Sequence, residues 1–430
     1  LAIALHNAET IEPNPTLETM TTALTKPDQR SASPRISILV SDLSSKGAGR
    51  WSGAVRPFLL AKAIQQAGYT PEIIGFSHET SLKGTSDDIP IRIIPLQQGV
   101  HLWRSARQML RSLTGDLIYA YKLKPGSFGL ALLHRQRHHK PLLLDIDDWE
   151  LSWHGGDSWR YRPTPKQLFR DTFKTGGALR NPEHPLYLQW MEKWTDRADH
   201  ITTHNLFLQN RFGGTYLPNG KDTELFDPDQ YDPETCRAAL GLSDYRVLMF
   251  PGAPRPYKGV EDVLTALDRL NQPDLRLVIV GGSPYDDYDK HLRQRWGRWL
   301  IQLPKAKYED MPRHIAAAHI VVVPQRDDPA TRAQFPLKLT DGMSMAKPIV
   351  ASHVGDIPNI LGQTGYLVEP NAPQQLAEKI DHVFASYSSA LEKAKLARFR
   401  CQQNFSILNM SHTLKPLLDS YLVKHNVTAS

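Results

Sequence analysis

Arg246-Val-Leu-Met-Phe-Pro-Gly-Ala-Pro-Arg-Pro-Tyr-Lys-Gly-Val260 decides how this chain is divided. The apolar run after Arg246 reads as a short buried strand, the Gly/Pro stretch as the loop at its carboxyl end, and Val260 as the start of a helix. It opens a fresh series. Downstream, strands are predicted at Leu275–Val280, Leu300–Leu303, Ile320–Pro324 and Pro348–Ala351, with a short addition at Tyr366–Val368. Helices fall between them, and helical sequence runs from Pro373 to the end. Upstream, strands at Ile36–Val40, Glu72–Phe76, Ile91–Pro95, Asp116–Ala120, Pro141–Asp145 and His200–Thr203 alternate with helices such as Leu102–Leu113 and Phe128–Arg135. Two βα series with separate first strands predict an α/β protein of two Rossmann-like domains facing each other across a cleft, with ligands at the carboxyl ends of the strands.

The domain bounds follow from composition. Residues 1–34, rich in Thr, Pro, Ser and Asn without apolar period, read as a disordered leader. Residues 35–225 form the first domain and 226–411 the second, and a helix at about 412–430 is expected to pack back on the first. The stretch from Trp149 to Pro185, full of Gly, Pro, Trp and Arg, reads as an irregular cover or acceptor-binding insertion.

A chain of 430 residues with 40% hydrophobic and 22% charged residues is long enough for two cores. Only Cys236 and Cys401 occur, without metal-ligand spacing, so a disulfide framework is excluded and a reducing, cytoplasmic setting is expected. The net charge of +6 favours acidic partners. Basic stripes interleaved with aromatics are missing, so nucleic acid is not expected as a partner. No apolar run approaches the ~20 residues of a membrane span. The first residues, Leu1 to Leu5, are too short for a signal-peptide core. Arg104, Arg107 and Arg111 run along one face of the Leu102–Leu113 helix, and His134-Arg-Gln-Arg-His-His-Lys140 is densely basic. Two readings stay open for them: a solvated cationic face, or peripheral contact with anionic lipid at the inner face of a membrane.

The chemistry concentrates in two places of the second half. In Gln334-Phe-Pro-Leu-Lys-Leu-Thr-Asp341 a helix start offers free N–H groups to an anion, Lys338 adds a point charge, and Asp341 suits ribose hydroxyls. In the loop after Phe250, Gly252 permits a tight turn, while Arg255 and Lys258 supply charge for a diphosphate. Continuing through Gly-Met-Ser-Met-Ala-Lys347-Pro348 to Val354-Gly-Asp-Ile-Pro358, the first stretch resembles the signature of glycosyltransferase family 4 and its group-1 relatives. Asp341 falls on the family's ribose-binding glutamate, whereas the sugar-contacting glutamate falls on Ala333 and is missing. Pro336-Leu-Lys338-Leu-Thr-Asp341 fits a sub-pattern of relatives, Lys258-Gly259 fits the family's Lys-Gly, and Pro218-Asn-Gly-Lys-Asp222 with Phe226 and Pro228 is similar to the motif closing the first domain.

The resemblance implies a GT-B fold and a retaining, metal-independent glycosyltransferase. Its donor would be a nucleotide-diphosphate sugar, and its acceptor a glycan, a lipid-linked sugar or a small molecule. Lys258 would stabilise the departing diphosphate, with Gly252, Arg255, Lys338 and Asp341 around the donor. The family's His-Asp pair falls on Asp147 and Asp148, which gives Asp147 a catalytic role and Asp148 an acceptor role; His154 is a further acceptor candidate. Gly49 and Gly53 lie in a loop that does not read GxGxxG, so NAD is not expected and close approach to the ligands is their expected use. Asp145-Ile-Asp147 is a formal DxD in the half that does not hold the donor. No metal or cofactor is expected. Two other classes remain, a non-hydrolysing sugar-nucleotide epimerase and a degenerate, non-catalytic binding protein.

Overall fold

A computed structural model of the chain describes residues 33–45, 47–48, 55–79, 89–97, 102–174, 176–283 and 286–428, with side chains as far as Leu422. The predicted leader up to residue 32, and the candidates Gly49 and Gly53, lie outside the described residues.

Two fully parallel sheets organise the rest. The first holds β1 (Arg35–Val40), β2 (Thr70–Ser77), β3 (Ile91–Pro95), β4 (Leu117–Tyr121), β5 (Leu142–Ile146), β6 (His200–Thr203) and β7 (Thr215–Tyr216). Their order is β3-β2-β1-β4-β5-β6-β7. The second holds β8 (Arg246–Pro251), β9 (Leu275–Val280), β10 (Leu300–Leu303), β11 (Ile320–Val323), β12 (Ile349–Ser352) and β13 (Tyr366–Val368) in the order β10-β9-β8-β11-β12-β13. Both sheets therefore repeat one winding, and in each the order reverses beside its first strand. The central strands are largely apolar runs because helices cover both faces: β4 and β5 are buried at every residue. Successive residues of β8 feed opposite cores, Val247 and Met249 on one side and Leu248 and Phe250 on the other.

The chain crosses between the domains twice, side by side. Lys221 donates its N–H to the Phe405 carbonyl at 2.6 Å, and Ile407 donates to the Lys221 carbonyl at 3.0 Å. Gly220 is what lets the crossings touch, since a Cβ there would sit 2.7 Å from the Ile407 Cα. Past the second crossing, the helix Ile407–Thr428 lays Met410, Leu414 and Leu418 into the core of the first domain.

The stretch from Trp149 to Pro185 departs from its irregular reading. Pro165–Phe173 is an α-helix closed by a capping box: Thr164 Oγ1 accepts from the Gln167 N–H at 3.3 Å, and Gln167 Oε1 accepts from the Thr164 N–H at 2.9 Å. Thr-Pro-x-Gln was the local signal, with Pro165 preset for the first helical turn.

Candidate functional site

The crevice is built by the strand ends of both domains. At the end of β8, Gly252 takes φ +119 and donates its N–H to the Val280 carbonyl at 3.1 Å. Arg255 follows, 3.5 Å from Asp286, and Lys258 Nζ lies 3.4 Å from the Ala253 carbonyl. Gly259 then turns at φ +66 into the helix Val260–Leu270. A Cβ at Gly259 would fall 1.8 Å from the Pro324 carbonyl oxygen, so only glycine lets this loop meet the end of β11. Arg326, just beyond β11, donates its N–H to the Tyr257 carbonyl at 2.9 Å. The strand ends at the reversal point of the second sheet are thus locked together around Arg255 and Lys258.

Lys338 stands in the first turn of the helix Leu337–Ser344, with Nζ 4.5 Å above the Phe250 ring. Burial pushes its pKa down to about 8, opposed by Asp341. An anion placed here would raise it again. Asp341 itself is engaged: its Oδ1 forms a buried ion pair with Lys221 of the linker. Lys221 Nζ also lies 3.4 Å over the Phe226 ring and 5.0 Å over that of Tyr308. Against the burial that lowers it, Asp341 holds the Lys221 ammonium above its ordinary pKa.

Facing this loop are the carboxyl ends of β4 and β5. Lys122, held at φ +73, directs Nζ at three acids: Glu150 at 2.7 Å, Asp147 at 3.4 Å and Asp148 at 3.9 Å. Asp147 also accepts a hydrogen bond from the Tyr121 hydroxyl. Asp148 is held more loosely. Trp153 Nε1 donates to its Oδ2 at 3.1 Å, while its buried Oδ1 has no hydrogen-bond partner. Burial pushes Asp148 up to about 7, with Lys122 opposing and Glu150 and Asp147 adding to the rise. Glu150 moves the other way, held below its ordinary pKa against burial by Lys122 and Lys124.

The two sides meet through aromatic rings. Trp153 packs edge-on against Tyr257 at 5.8 Å, and the Tyr257 side chain hydrogen-bonds Gln334. Polar contacts fasten the domains alongside: His204 Nε2 accepts from the Phe335 N–H at 3.0 Å, Asn205 donates to the Arg332 carbonyl at 3.0 Å, and the Leu206 N–H reaches Asp356 at 2.8 Å. Burial, reinforced by Arg56 and Lys122, keeps His204 well below its ordinary pKa and neutral, as an accepting Nε2 requires.

Of the residues chosen from sequence, Gly252, Arg255 and Lys258 share one loop, and Lys338 and Asp341 one helix. Asp147 and Asp148 stand together across from the loop, whereas His154 is exposed at the end of a short 3₁₀ turn. Asp145 is a structural residue. Fully buried, it takes a two-pronged bond from Arg56 at 3.0 and 2.7 Å and another from Thr202 at 2.7 Å. Ala333 is fully buried in the first domain's hydrophobic cluster, which leaves no solvated space where a carboxylate would stand. Among the described residues no three acids, histidines or cysteines are arranged to hold a metal ion; those after β5 gather on Lys122. Lys122, Trp153, Lys221, His204 and Tyr257 escaped the reading of the sequence. Lys122 was within reach, because parallel neighbours bring a Lys-x-Lys at one strand end beside three acids at the next.

Residues 245–386 match the family described as glycosyl transferases group 1. The chain is 28% identical over 188 residues to a GDP-mannose-dependent phosphatidylinositol monomannoside mannosyltransferase of Mycolicibacterium smegmatis, a match covering 40% of this chain and 49% of that one. It spans about half the length of the curated relatives it matches. Anabaena Alr3699/HepE, solved with UDP and glucose, superposes with a TM-score of 0.70 at 20% identity, covering 90% of this chain and 100% of that one. Sucrose-phosphate synthase from Thermosynechococcus elongatus gives 0.66 at 18%, covering 92% and 100%. The two-domain architecture is that of the GT-B fold.

Proposed function

We propose, for a GT-B chain whose second domain belongs to the glycosyl transferases group 1 family, that it moves a sugar from a nucleotide-diphosphate sugar to a hydroxyl acceptor with retention and without a metal. One observation carries this reading: the contact chain Gln334–Tyr257–Trp153–Asp148 sets a buried carboxylate of one domain against the cationic strand-end loop of the other. Arg255, Lys258 and Lys338 take the diphosphate, and their charge counts most as the bond to the sugar breaks and the leaving oxygens turn more negative. Asp341 keeps one oxygen for ribose while Lys221 takes the other. Asp148 serves better than Asp147 on the acceptor side: neither Oδ1 has a hydrogen-bond partner, but that of Asp147 lies 3.4 Å from Lys122 Nζ and its Oδ2 is taken by Tyr121, whereas Lys122 reaches only Asp148 Oδ2, at 3.9 Å. Ionised, it accepts a hydrogen bond from the incoming hydroxyl and aims it at the anomeric carbon.

The acceptor is a glycan, a lipid-linked sugar or a small molecule. Relatives named for phosphatidylinositol mannoside acceptors support the lipid-linked choice, and with it a peripheral contact with anionic membrane on the cationic side of the first domain. No helix among the described residues is long and apolar enough to cross a bilayer.

The test is nucleotide release from UDP-, GDP- and ADP-hexoses with lipid-linked and soluble acceptors, in the presence of a chelator. Turnover with one donor and an α product from an α donor is expected. Nucleotide-dependent thermal stabilisation without turnover would point instead to a degenerate binding protein, the reading that the buried Ala333 favours.

Asp148 also sets a pH dependence. Its folded pKa near 7 lies above the ordinary value, so the needed ionised form is lost as pH falls through 7. The kcat/KM profile is expected to show an acid limb there, falling about tenfold per pH unit below it. Asp148→Asn should abolish the limb and lower kcat/KM by about two orders of magnitude. An unchanged limb in the variant would remove Asp148 from the mechanism.

A further inference from the structure

A second concavity lies in the first domain, far from the crevice. It opens between the helices Leu102–Ser112 and Leu130–His138, beside the residues leading into β4 and β5, and has a volume of about 650 Å³. The crevice uses the carboxyl ends of these strands; this cavity is at their amino ends. Arg107, Arg111, Arg137 and Lys140 line it, and no carboxylate does. Lys140 has a counter-charge, Asp116 at 3.4 Å. Among the described residues the three arginines have none. Guanidinium groups gathered in one hollow repel each other, and an anion would relieve this.

His134 adds an independent sign. It is 3% exposed and lines the cavity. Its Nε2 lies 3.1 Å from the Leu113 carbonyl, which can only accept, so that nitrogen carries the proton. Nδ1 is left as a bare acceptor, buried and without a partner. The His138 ring lies 4.4 Å away, tilted by 31°, and burial pushes His134 down to about 4, so the ring stays neutral. Such an acceptor wants an O–H from a ligand. Arginines, meanwhile, match the oxygens of a phosphate two at a time. Trp103, 62% exposed, forms an apolar edge to the mouth.

We infer that this cavity is a binding site for a phosphate monoester bearing a nearby hydroxyl, held by Arg107, Arg111 and Arg137 with the hydroxyl on His134. The site is independent of the donor reading. The same chemistry comes from a soluble glycerol or sugar phosphate and from the headgroup of a lysolipid phosphate, whose glycerol keeps a free hydroxyl.

Titration with glycerol 3-phosphate, and flotation with phosphatidylcholine vesicles with and without lysophosphatidic acid, separate these sources. Binding of glycerol 3-phosphate is expected to weaken at least about tenfold in the exposed double variant Arg107→Ala/Arg111→Ala and to persist in Lys258→Ala. That pattern supports a soluble ligand. Capture only by lysophosphatidic acid vesicles, lost in the same double variant, supports the lipid. Neither probe binding, or both binding the double variant as they bind wild type, overturns the inference. Binding lost in Lys258→Ala alone also overturns it, because the phosphate would then occupy the donor crevice. Nucleotide affinity in the double variant should stay at the wild-type value, so a failed donor reading and a failed cavity remain distinguishable.

Discussion

Lys258→Ala is expected to slow transfer by about 10²–10³-fold, with a smaller change in donor KM. Lys258 Nζ lies 3.4 Å from the Ala253 carbonyl of its own loop and 5.9 Å over the Tyr257 ring. The turn itself is held by backbone, through the close approach of Gly259 to the Pro324 carbonyl and the Arg326 N–H on the Tyr257 carbonyl, so the variant is expected to keep it. A cation beside a leaving diphosphate acts mostly where negative charge grows, so the effect belongs in kcat. Steady-state kinetics beside a thermal melt make the check. A variant that melts like wild type and turns over like wild type would remove Lys258 from the chemistry.

Lys221→Met is expected to cost about 3–5 kcal/mol of stability, because it strands the Asp341 carboxylate among buried neighbours. Adding Asp341→Asn removes the stranded charge, and the double variant should recover most of the loss. Activity then separates two roles that one carboxylate combines. If Asp341 also holds ribose, the double variant folds but binds nucleotide weakly. Denaturant unfolding and nucleotide titration on the single and double variants complete the cycle. Full nucleotide affinity in the double variant would make Asp341 a purely structural residue, and a Lys221→Met protein as stable as wild type would deny the pair its importance.

Most strands were legible because they are apolar runs bounded by turn residues, a pattern a parallel sheet buried on both faces enforces, whereas the two-residue β7 (Thr215–Tyr216) carries no such run and was not predicted. The Gly252–Gly259 loop was legible for a similar reason: a glycine between a cation and a strand-end contact leaves a local trace. Asp147 and Asp148 could not be told apart in this way. Side by side in the chain, they differ only because Tyr121 and Lys122, on the neighbouring strand end, hold the first more tightly than the second.

The sequence by itself determined the two βα series, the fresh start of the second at Arg246 and the loop of cations after its first strand. Tertiary structure alone decided that Lys221 meets Asp341, that Ala333 is sealed in the first domain, and that cations on two helices of that domain line one cavity. The reason is range. Burial along a strand or helix is written into neighbouring residues, whereas a charge finds its partner 120 positions away only where the chain crosses back.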